Sequence, residues 1–552
     1  MQKNYASILL FKVFGIIKKS KAVILTITIT ITITLIITLF MLLNTVNYAY
    51  AKNTSYAKNT SSTIDVKSFG AVGDGITDDT AAIKKALASK YKNIIINPGQ
   101  YKVTDNLVVK DKIISAYKAT IYTDNTFVGT LTHSGNKQSL ILIRNGVNKT
   151  MISGLTVESR ETQEIRCKGD IDIRDCTNVI IQDCNFINET NMGIAYDSNI
   201  DLYSGWENVT IKNNKMTLNT NASSGGCIWV RNFYNKGDCS NLLIEDNTCI
   251  KNSHDEILAI FHGEMSNIII CNNDFITKSG TNSSSPFAFS IASSSANLKN
   301  VSFINNTANV EYTLALFKLH GDAGIKKDQV YINDNTFICN ISGTDHITSL
   351  FYATANQSIS DMTICRNDIT INTASESEAC RVVYMGSYTG EVLFEDNNIK
   401  ADRISNLTYG SRILAKGNTV EVETYISNAV FKETTYIVDN KIVCGTLDGT
   451  FSQIQSEVDQ DIIISGNIFT ADNTSTTDGF IMCITNKLNN HSFQVENNVF
   501  VITELLAEKR LYHIQLKDTT VQVLIDKNNK ITNMPSDYYD DYTKSNLLIK
   551  IS

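Results

Sequence analysis

The chain has 552 residues, with 49 Lys and Arg against 56 Asp and Glu, which gives a formal net charge of −7 at pH 7. A chain of this length is long enough for several domains. The small negative charge argues against a nucleic-acid-binding protein, which would carry a basic surface. Nucleic acid is therefore excluded as a partner. The charge is compatible with partners that are neutral or that bind through a bridging metal cation.

Residues 1–51 have the features of a targeting segment. Lys18, Lys19 and Lys21 precede an uncharged run over residues 22–43, and Ala49-Tyr50-Ala51 has the small-x-small form of a signal peptidase site. The uncharged run is also long enough to cross a bilayer. We therefore predict a cleaved secretory signal, with a retained membrane anchor as the alternative. The protein is expected to be secreted or held at the cell surface, with no other contact to a membrane.

Residues 52–63 continue this segment as a flexible linker, because a six-residue block is nearly repeated there. From residue 64 the pattern changes to a short strand, a loop with Gly70, Gly73 and Gly75, and an apolar helix face that includes Ile83 and Leu87. Thr77 or Asp78 is expected to cap this helix.

The order of these motifs is specific. Phe69-Gly70-Ala71-Val72-Gly73-Asp74-Gly75 is followed by Thr77-Asp78-Asp79-Thr80, by Ile94-Ile95-Ile96 and by Pro98-Gly99-Gln100-Tyr101. This segment resembles the N-terminus of the pectate-lyase-like superfamily of right-handed parallel β-helices. The resemblance implies that residues 64–110 are a cap motif whose helix covers the open end of a solenoid. It also implies activity on extracellular polysaccharides.

A repeat fills most of the remaining chain. Its pattern is apolar, any, apolar, two polar, Asn, any, apolar, as in Val209–Met216 and Leu242–Cys249. The Asn recurs at Asn273, Asn306, Asn335, Asn367, Asn397, Asn418, Asn440, Asn467 and Asn498, and more loosely at Asn529. Spacings of this size are typical of solenoids. We predict an all-β, single-stranded right-handed parallel β-helix over residues 111–552 with an N-terminal capping helix. Each Asn is expected at a tight bend in left-handed backbone, within an amide ladder.

The chain has 12 cysteines, a number that would suggest disulfides in a secreted protein. Their positions favour another interpretation, because several lie inside apolar strand patterns at similar points of the repeat. These are Cys184, Cys249, Cys271, Cys339 and Cys365. We predict that they are small core residues. The chain has no Cys-x-x-Cys motif, which argues against a zinc site.

The strongest candidate for chemistry is the segment Ser253–Gly263, which carries Asp255, Glu256 and His262 around one strand. Apolar neighbours can raise the pKa of one carboxyl group and so separate an acid from a base. Glycoside hydrolysis uses such a pair. Asp255, Glu256 and His262 are therefore the predicted catalytic residues, with an ordinary turn as the alternative.

This segment is similar to the paired-aspartate motif of family 28 glycoside hydrolases, the polygalacturonases. Leu316-Phe317-Lys318, followed by Gly321 and Gly324, resembles the basic motif of that family. The resemblance implies that Asp255 and Glu256 act as general acid and water-holding carboxylate, and that Lys318 contacts a sugar carboxylate. Three family positions differ: residues 224–226 hold no carboxylate, residues 277–280 hold no His, and Leu316 replaces an Arg.

Further residues are predicted to bind substrate. If the alternation of the Gly226 strand points Trp229 and Arg231 outward, Trp229 can stack on a sugar and Arg231 can bind a carboxylate. Packing inside the protein or at its rim is the alternative for Trp229. Stacked coils can also bring an upstream aspartate near the Asp255 coil. The full set of predicted substrate contacts is Lys318, Arg231, Trp229, Asp197, Asp201 and His320. For His262, Lys318 and His320 a solvated surface role is the alternative.

The sequence leaves three functions open. The first is a glycoside hydrolase for an acidic or pectin-like polysaccharide. The second is a polysaccharide lyase with Lys318 or Arg231 as base, and the third is a non-catalytic carbohydrate-binding surface protein or adhesin. No cofactor is expected, and calcium is the metal that a lyase would use. The chain is expected to be a monomer or a homotrimer.

Overall fold

The computed structural model describes residues 62–541 apart from several segments. Those outside the description are 131, 134–135, 138, 161–168, 189–197, 220–224, 234–236, 238, 253–255, 278–286, 320–325, 342–347, 354–357, 360, 374–379, 386–390, 411–412, 426–434, 448–451, 457–461, 475–478, 487–491, 505–508, 517–521, 526–529 and 533–538. The predicted signal segment, residues 52–61 of the predicted linker, and Asp197, Asp255, His320 and Asn529 therefore lie outside the described residues. The last linker residue, Thr63, begins the first strand. Within the described part of the chain no helix is long and apolar enough to cross a membrane.

The N-terminal cap contains the predicted helix, Thr80–Ala88, preceded by a 3₁₀ turn at Val66–Phe69. The helix buries Ala82, Ile83, Ala86 and Leu87 against the first coil. The expectation that Thr77 or Asp78 caps this helix was wrong, because the N-cap residue is Asp79 and its side chain makes no capping hydrogen bond. Asp78 lies one position earlier, and its carboxylate accepts a hydrogen bond from the backbone N–H of Thr80 at 3.0 Å. The next carboxylate, Asp79, instead holds the glycine loop by accepting from the N–H groups of Val72 and Gly73 at 2.6 and 3.0 Å.

Nearly all other described structure is strand. The strands up to residue 252 are Thr63–Asp65, Asp74–Asp78, Asn93–Ile96, Gly99–Lys102, Leu107–Val109, Ile113–Thr123, Thr132–His133, Asn136–Lys137, Ile141–Arg144, Thr150–Ser159, Gly169–Gln182, Asn185–Asn188, Ser198–Lys212, Lys215–Asn219, Gly226–Arg231, Cys239–Glu245 and Thr248–Asn252. Those from 258 to 410 are Leu258–Cys271, Asp274–Thr277, Phe287–Ile304, Thr307–Tyr312, Ala315–Lys318, Lys326–Asn333, Thr336–Ile341, Thr348–Ala353, Ser358–Ile359, Asp361–Cys365, Asp368–Thr373, Cys380–Met385, Glu391–Glu395 and Asn398–Gly410. The last are Ile413–Lys416, Thr419–Tyr425, Thr435–Val438, Lys441–Leu447, Ser452–Ser456, Ile462–Ser465, Ile468–Thr474, Gly479–Asn486, Ser492–Glu496, Val499–Glu504, Lys509–Leu516, Gln522–Ile525, Lys530–Thr532 and Tyr539–Asp541.

Each coil contributes to three parallel sheets, which we call sheets A, B and C. Around Asn247, for example, strand A is Cys239–Glu245 and strand B is Thr248–Asn252. Strand C is the first part of the long strand Leu258–Cys271, and the second part of that strand is strand A of the next coil. Every strand pairs in parallel with its counterpart one coil away, as Met216 with Cys249 and Cys249 with Phe275 in sheet B. The chain is thus a right-handed parallel β-helix, as predicted.

The core is the interior of the solenoid, where alternate residues of all three sheets meet. Phenylalanines form one internal stack, in which the rings of Phe289 and Phe317 have centroids 4.9 Å apart at 24°, and those of Phe317 and Phe351 are 5.6 Å apart at 15°. Each coil therefore covers apolar surface that its neighbour would otherwise expose.

The predicted amide ladder is present in the described coils. The members, all at most 2 % exposed, are Asn214, Asn247, Asn273, Asn306, Asn335, Asn367, Asn397, Asn418, Asn440, Asn467 and Asn498. Asn367 is typical, because its Nδ2 donates to Asn397 Oδ1 at 2.9 Å and to the carbonyl of Ile332 at 2.8 Å. The oxygen of each side chain also accepts from the backbone N–H of the preceding ladder residue, as in Asn335 N to Asn367 Oδ1 at 3.0 Å.

The expectation that the ladder Asn itself adopts left-handed backbone was wrong. The residue before it carries the positive φ, as in Asn213 (51°), Asp246 (55°) and Gly417 (66°). The physical reason is that the bend is made one position earlier, so that the ladder side chain can turn inward and bond to its neighbours.

Four of the five cysteines predicted as core residues are buried, namely Cys184, Cys249, Cys339 and Cys365. Cys271 is partly exposed. Ile268 and Ile270 of the same strand point inward. Cys271 follows Ile270 directly and therefore points outward. For Cys271 the prediction of a core position was therefore wrong.

Candidate functional site

One outward position of sheet C forms a continuous row across eight coils, which we call the outer row. Register pairs its members in sequence as Asp172, Asp201, Trp229, Ala259, Ser290, Lys318, Tyr352 and Tyr384. Neighbouring members are about 4.8 Å apart along the solenoid, the ordinary distance between paired strands. The row thus brings several predicted site residues onto one face.

The first end of the outer row is a buried charge network around Asp172. Its carboxylate accepts from Arg144 Nη1 at 2.6 Å and from Arg174 Nε at 2.9 Å. Burial opposes ionisation of Asp172, but the charge of Arg144 and the hydrogen bonds from Arg174 and Arg144 outweigh it, so the pKa of Asp172 is lowered.

The next member, Asp201, pairs with Arg231 in a two-pronged ion pair. Arg231 Nε donates to Asp201 Oδ1 at 2.9 Å, and Nη2 of the same guanidinium donates to Oδ2. The guanidinium carbons of Arg174 and Arg231 lie 3.7 and 4.4 Å from the ring centroid of Tyr203. The structure thus joins the predicted contacts Asp201 and Arg231 to each other, and their role in substrate binding stays a prediction.

Trp229 lies on the outer side of its strand, while Ile228 and Val230 on either side fill the core. Its ring meets the edge of Phe261 at 5.4 Å and 82°, and the Arg231 guanidinium lies 5.1 Å from it. The indole N–H is buried and has no hydrogen-bond partner among the described residues. Trp229 is partly exposed, which leaves part of the indole for a ligand.

Phe287 relates two of the predicted site residues to each other. The N–H of Ile257 donates to the carbonyl of Ala288 at 2.9 Å, so the backbone of Glu256 lies opposite that of Phe287 one coil away. Lys318 Nζ lies 5.0 Å from the centroid of the Phe287 ring. Lys318 is partly exposed and makes no ion pair with another described residue. The Lys318 ammonium group therefore lies beside the ring of a residue that is in register with Glu256.

Beyond Lys318 the outer row continues as a pair of stacked tyrosines. The rings of Tyr352 and Tyr384 are 5.5 Å apart at 15°, and the guanidinium carbon of Arg381 lies 4.7 Å from Tyr384. Because the ring faces cover one another, the pair offers a ligand mainly its edges. The sequence analysis missed Tyr352 and Tyr384 as site residues, although aligning the repeats places both in register with Lys318.

His262 lies apart from Glu256. Glu256 precedes strand C, which begins at Leu258, and His262 follows Phe261 at a bend with a φ of 63°. The extended residues between them, Leu258–Phe261, span about 10 Å. The His262 ring packs against Phe233 and Phe261, with centroids at 5.3 and 5.1 Å. The structure therefore does not place His262 and Glu256 where both could act on the same glycosidic bond.

The sequence analysis also missed a groove of about 460 Å³ on sheet B. The residues that line it include Asp402, Glu423, Gly445 and Asp472, whose positions follow one another from coil to coil. The signal for it is visible only after the repeats are aligned. Among the described residues no group of three or more His, Cys, Asp or Glu is arranged to hold a metal ion.

No protein-family model matches the chain, and no curated protein matches it in sequence. Solved structures do resemble it. The surface protein and adhesin PfbA of Streptococcus pneumoniae is 14 % identical, with 81 % of this chain and 99 % of that chain covered and a TM-score of 0.35. A family 28 exopolygalacturonase of Yersinia enterocolitica is 13 % identical over 66 % and 75 % of the two chains, with a TM-score of 0.37. The tailspike gp61 of Pseudomonas phage phi297 is 9 % identical over 79 % and 80 %, with a TM-score of 0.40. At these values no activity carries over to this chain.

Proposed function

We propose that this protein is a secreted, polysaccharide-active enzyme that binds an acidic polymer on the outer face of sheet C and hydrolyses it. The observation that supports this most is that Phe287, whose ring lies 5.0 Å from Lys318 Nζ, is in register with Glu256 one coil away. A sugar ring can lie against an aromatic side chain while an ammonium group binds its carboxylate. Neither contact requires a change in the described backbone.

The hydrolytic step is assigned to Asp255 and Glu256. One of them, protonated, gives its proton to the glycosidic oxygen as the bond from that oxygen to the anomeric carbon breaks. The other, ionised, takes a proton from the water that attacks the anomeric carbon. Lys318 and Trp229 bind the sugars on either side, and the Asp201–Arg231 pair holds the strand beneath Trp229 in place. Asp197, His262 and His320 are proposed as further contacts of the polymer.

The test compares the chain from Lys52 onward with Glu256→Gln, Asp255→Asn and Lys318→Met variants on a panel of uronic-acid and neutral polysaccharides. Release of reducing ends and of unsaturated products is measured. We expect reducing ends from an acidic polymer, loss of at least about 100-fold in kcat for each carboxylate variant, and a rise in KM of about 10-fold or more for Lys318→Met.

Two matched controls separate site effects from general damage. Glu423→Gln removes a carboxylate from the sheet B groove, and Lys441→Met removes an exposed lysine from sheet B. Both should keep full activity. Unsaturated products that survive both carboxylate changes would identify a lyase instead. Binding without any product would identify a carbohydrate-binding surface protein, and activity lost in Glu423→Gln would move the site to sheet B.

A further inference from the structure

Charge is distributed unevenly along the solenoid. Residues 63–150 hold 12 Lys and Arg against 7 Asp and Glu, whereas residues 151–552 hold 30 against 49. The N-terminal end therefore has a net charge of +5, and the rest of the chain has one of −19. An asymmetry of this kind is typical of a protein that meets an anionic surface with one end.

The positive charge is concentrated where strand A begins in each of the first three coils. Asn93 pairs with Ile113, and Ile113 pairs with Met151, so these three strand starts are stacked about 4.8 Å apart. Five lysines lie within four residues before them, and we call this set the basic corner: Lys90, Lys92, Lys110, Lys112 and Lys149.

Most of the basic corner is available to a ligand. Its exposed members make no ion pair with another described residue, and they are Lys90, Lys92, Lys110 and Lys149. Lys112 instead donates from Nζ to the carbonyls of Ser89 and Tyr91, both at 2.6 Å, which fixes the corner to the end of the capping helix. Asp111 is the one carboxylate within residues 90–92, 110–112 and 145–150, and it accepts from the N–H of Asn148 at 2.8 Å.

The same corner is neutral in the coils that follow. Register continues the row of Lys149 through five asparagines: Asn178, Asn208, Asn241, Asn267 and Asn300. These side chains bond to one another, as in Asn241 Nδ2 to Asn208 Oδ1 at 2.9 Å. Attraction of an anion is therefore confined to the N-terminal end of this edge.

The chain enters the solenoid at the basic corner. Thr63 pairs with Asn93, the residue after Lys92, and Asn93 Nδ2 donates to Thr63 Oγ1 at 3.3 Å. Residues 52–62, which precede this point, can extend over at most about 40 Å. The basic corner is thus the lysine-rich part of the solenoid that lies closest along the chain to the predicted signal segment or membrane anchor.

We propose that the basic corner docks the solenoid on the anionic headgroups of a lipid bilayer. Several lysines near such a surface act together, each adding to the attraction. Val147 lies on the same corner and is 71 % exposed, so its apolar side chain can enter the headgroup layer. The position of the chain entry favours a bilayer over a soluble acidic polymer as the occupant. This inference is independent of the proposed function, which uses the outer row of sheet C.

The test measures co-sedimentation of the chain from Lys52 onward, which lacks the apolar run, with lipid vesicles. One set contains phosphatidylglycerol and phosphatidylcholine, and the other contains phosphatidylcholine alone. We expect binding to the anionic vesicles that weakens as salt is added, because salt screens exposed charges. A combined variant should lose about 100-fold in affinity, since each lysine contributes about fivefold. Its changes are Lys92→Gln, Lys110→Gln and Lys149→Gln.

A second combined variant is the matched control, because it removes the same number of exposed lysines from later coils. Its changes are Lys215→Gln, Lys299→Gln and Lys441→Gln. It should bind the anionic vesicles as the unchanged chain does. Both variants alter only exposed side chains, so both should keep the circular dichroism and the urea midpoint of the unchanged chain.

Three results would overturn the proposal. The first is equal binding of the unchanged chain to both kinds of vesicle, or binding to neither. The second is an equal loss in the two combined variants, which would mean that net charge and not the basic corner governs binding. The third is tighter binding of soluble polygalacturonate than of vesicles through the same three lysines, which would identify a polysaccharide-binding surface. Failure of the hydrolysis assay would leave these measurements unaffected.

Discussion

At the scale of single residues, the outer row shows two kinds of cation. Lys318 is partly exposed beside an aromatic ring, whereas Arg231 is held by Asp201 with side-chain exposures of 9 % and 5 %. Arginine suits the second role because its planar guanidinium meets both carboxylate oxygens at once. A buried pair of this kind fixes the position of its strand more than it adds stability.

Removal of one residue of the Asp201–Arg231 pair should nevertheless destabilise the protein. We expect Arg231→Met to lower the free energy of unfolding by about 3–5 kcal/mol, because the carboxylate of Asp201 would stay buried without its counter-charge. The control is Arg366→Met, which breaks the exposed pair with Asp334, whose side-chain exposures are 55 % and 40 %. That change should cost less than about 1 kcal/mol. Equal losses in urea unfolding of the two variants would contradict this account.

The sequence predicted part of this arrangement. Alternation along the Gly226 strand put Trp229 and Arg231 on one face of it and left open whether that face is the outer one. Both lie on the outer side. The Arg231–Asp201 pair could not be predicted, because it joins residues 30 positions apart and depends on the register between two coils. Coil lengths vary through this chain, so register becomes known only when the ladder positions are aligned in space.

At the scale of structural elements, the Asn turn makes the repeat visible in the sequence. Each ladder side chain makes several buried hydrogen bonds, so the position tolerates little besides Asn. The position before the ladder Asn has a positive φ and is occupied by Asn, Asp, Arg or Gly. Because its residue type varies, the repeat pattern did not indicate that this position, and not the ladder Asn, makes the bend. The helix at Thr80–Ala88 was predicted because its apolar spacing is a local feature, whereas its cap was not, because the Asp79 carboxylate bonds to Val72 and Gly73 instead.

Cys184 provides a test of the ladder. It occupies the ladder position one coil before Asn214, since its N–H donates to Asn214 Oδ1 at 3.0 Å. Its thiol faces the carbonyl of Ile152 at 3.7 Å, and burial raises its pKa to about 12, so the thiol stays protonated. We expect Cys184→Asn to add one amide to the row and to raise the free energy of unfolding by about 0.5–1.5 kcal/mol.

The matched variant is Cys184→Ala, which leaves the Ile152 carbonyl without a donor and should lower the unfolding midpoint. Both variants are compared with the unchanged chain in urea. A lower midpoint for Cys184→Asn than for Cys184→Ala would mean that the site is too small for the amide, and the account of this position would then be wrong.

At the scale of the whole molecule, stability is close to a sum over coils and their contacts with neighbours. A complete coil should therefore be removable where it carries no site residue. Residues 398–418 are such a coil, because Asn398 is in register with Thr419 and the ladder residues Asn397 and Asn418 are 21 positions apart. Deleting them joins Asn397 to Thr419 with every strand position preserved.

We expect this deletion variant to keep its β-sheet circular dichroism and any binding of acidic polymer that the full chain shows, with a lower urea midpoint than the full chain. Deletion of residues 398–408 alone removes half a coil, shifts every later strand out of register and should prevent folding of the coils that follow. If both deletions were equally damaging, the coils would not be independent units.

The amide row has a direction that the strands alone do not require. From Asn214 to Asn467 each ladder side chain donates from Nδ2 to the Oδ1 of the next ladder Asn, and its own oxygen accepts from the previous ladder position. The same Nδ2 also donates to a backbone carbonyl of the previous coil. If one amide were flipped, it would set nitrogen against nitrogen on one side and oxygen against oxygen on the other. Reversal at one position would therefore require reversal of all, and the aligned side-chain dipoles add along the axis as peptide dipoles do in a helix. Within the described coils, the row of neutral amides thus carries a dipole of its own, whose positive end points toward the C-terminal coils.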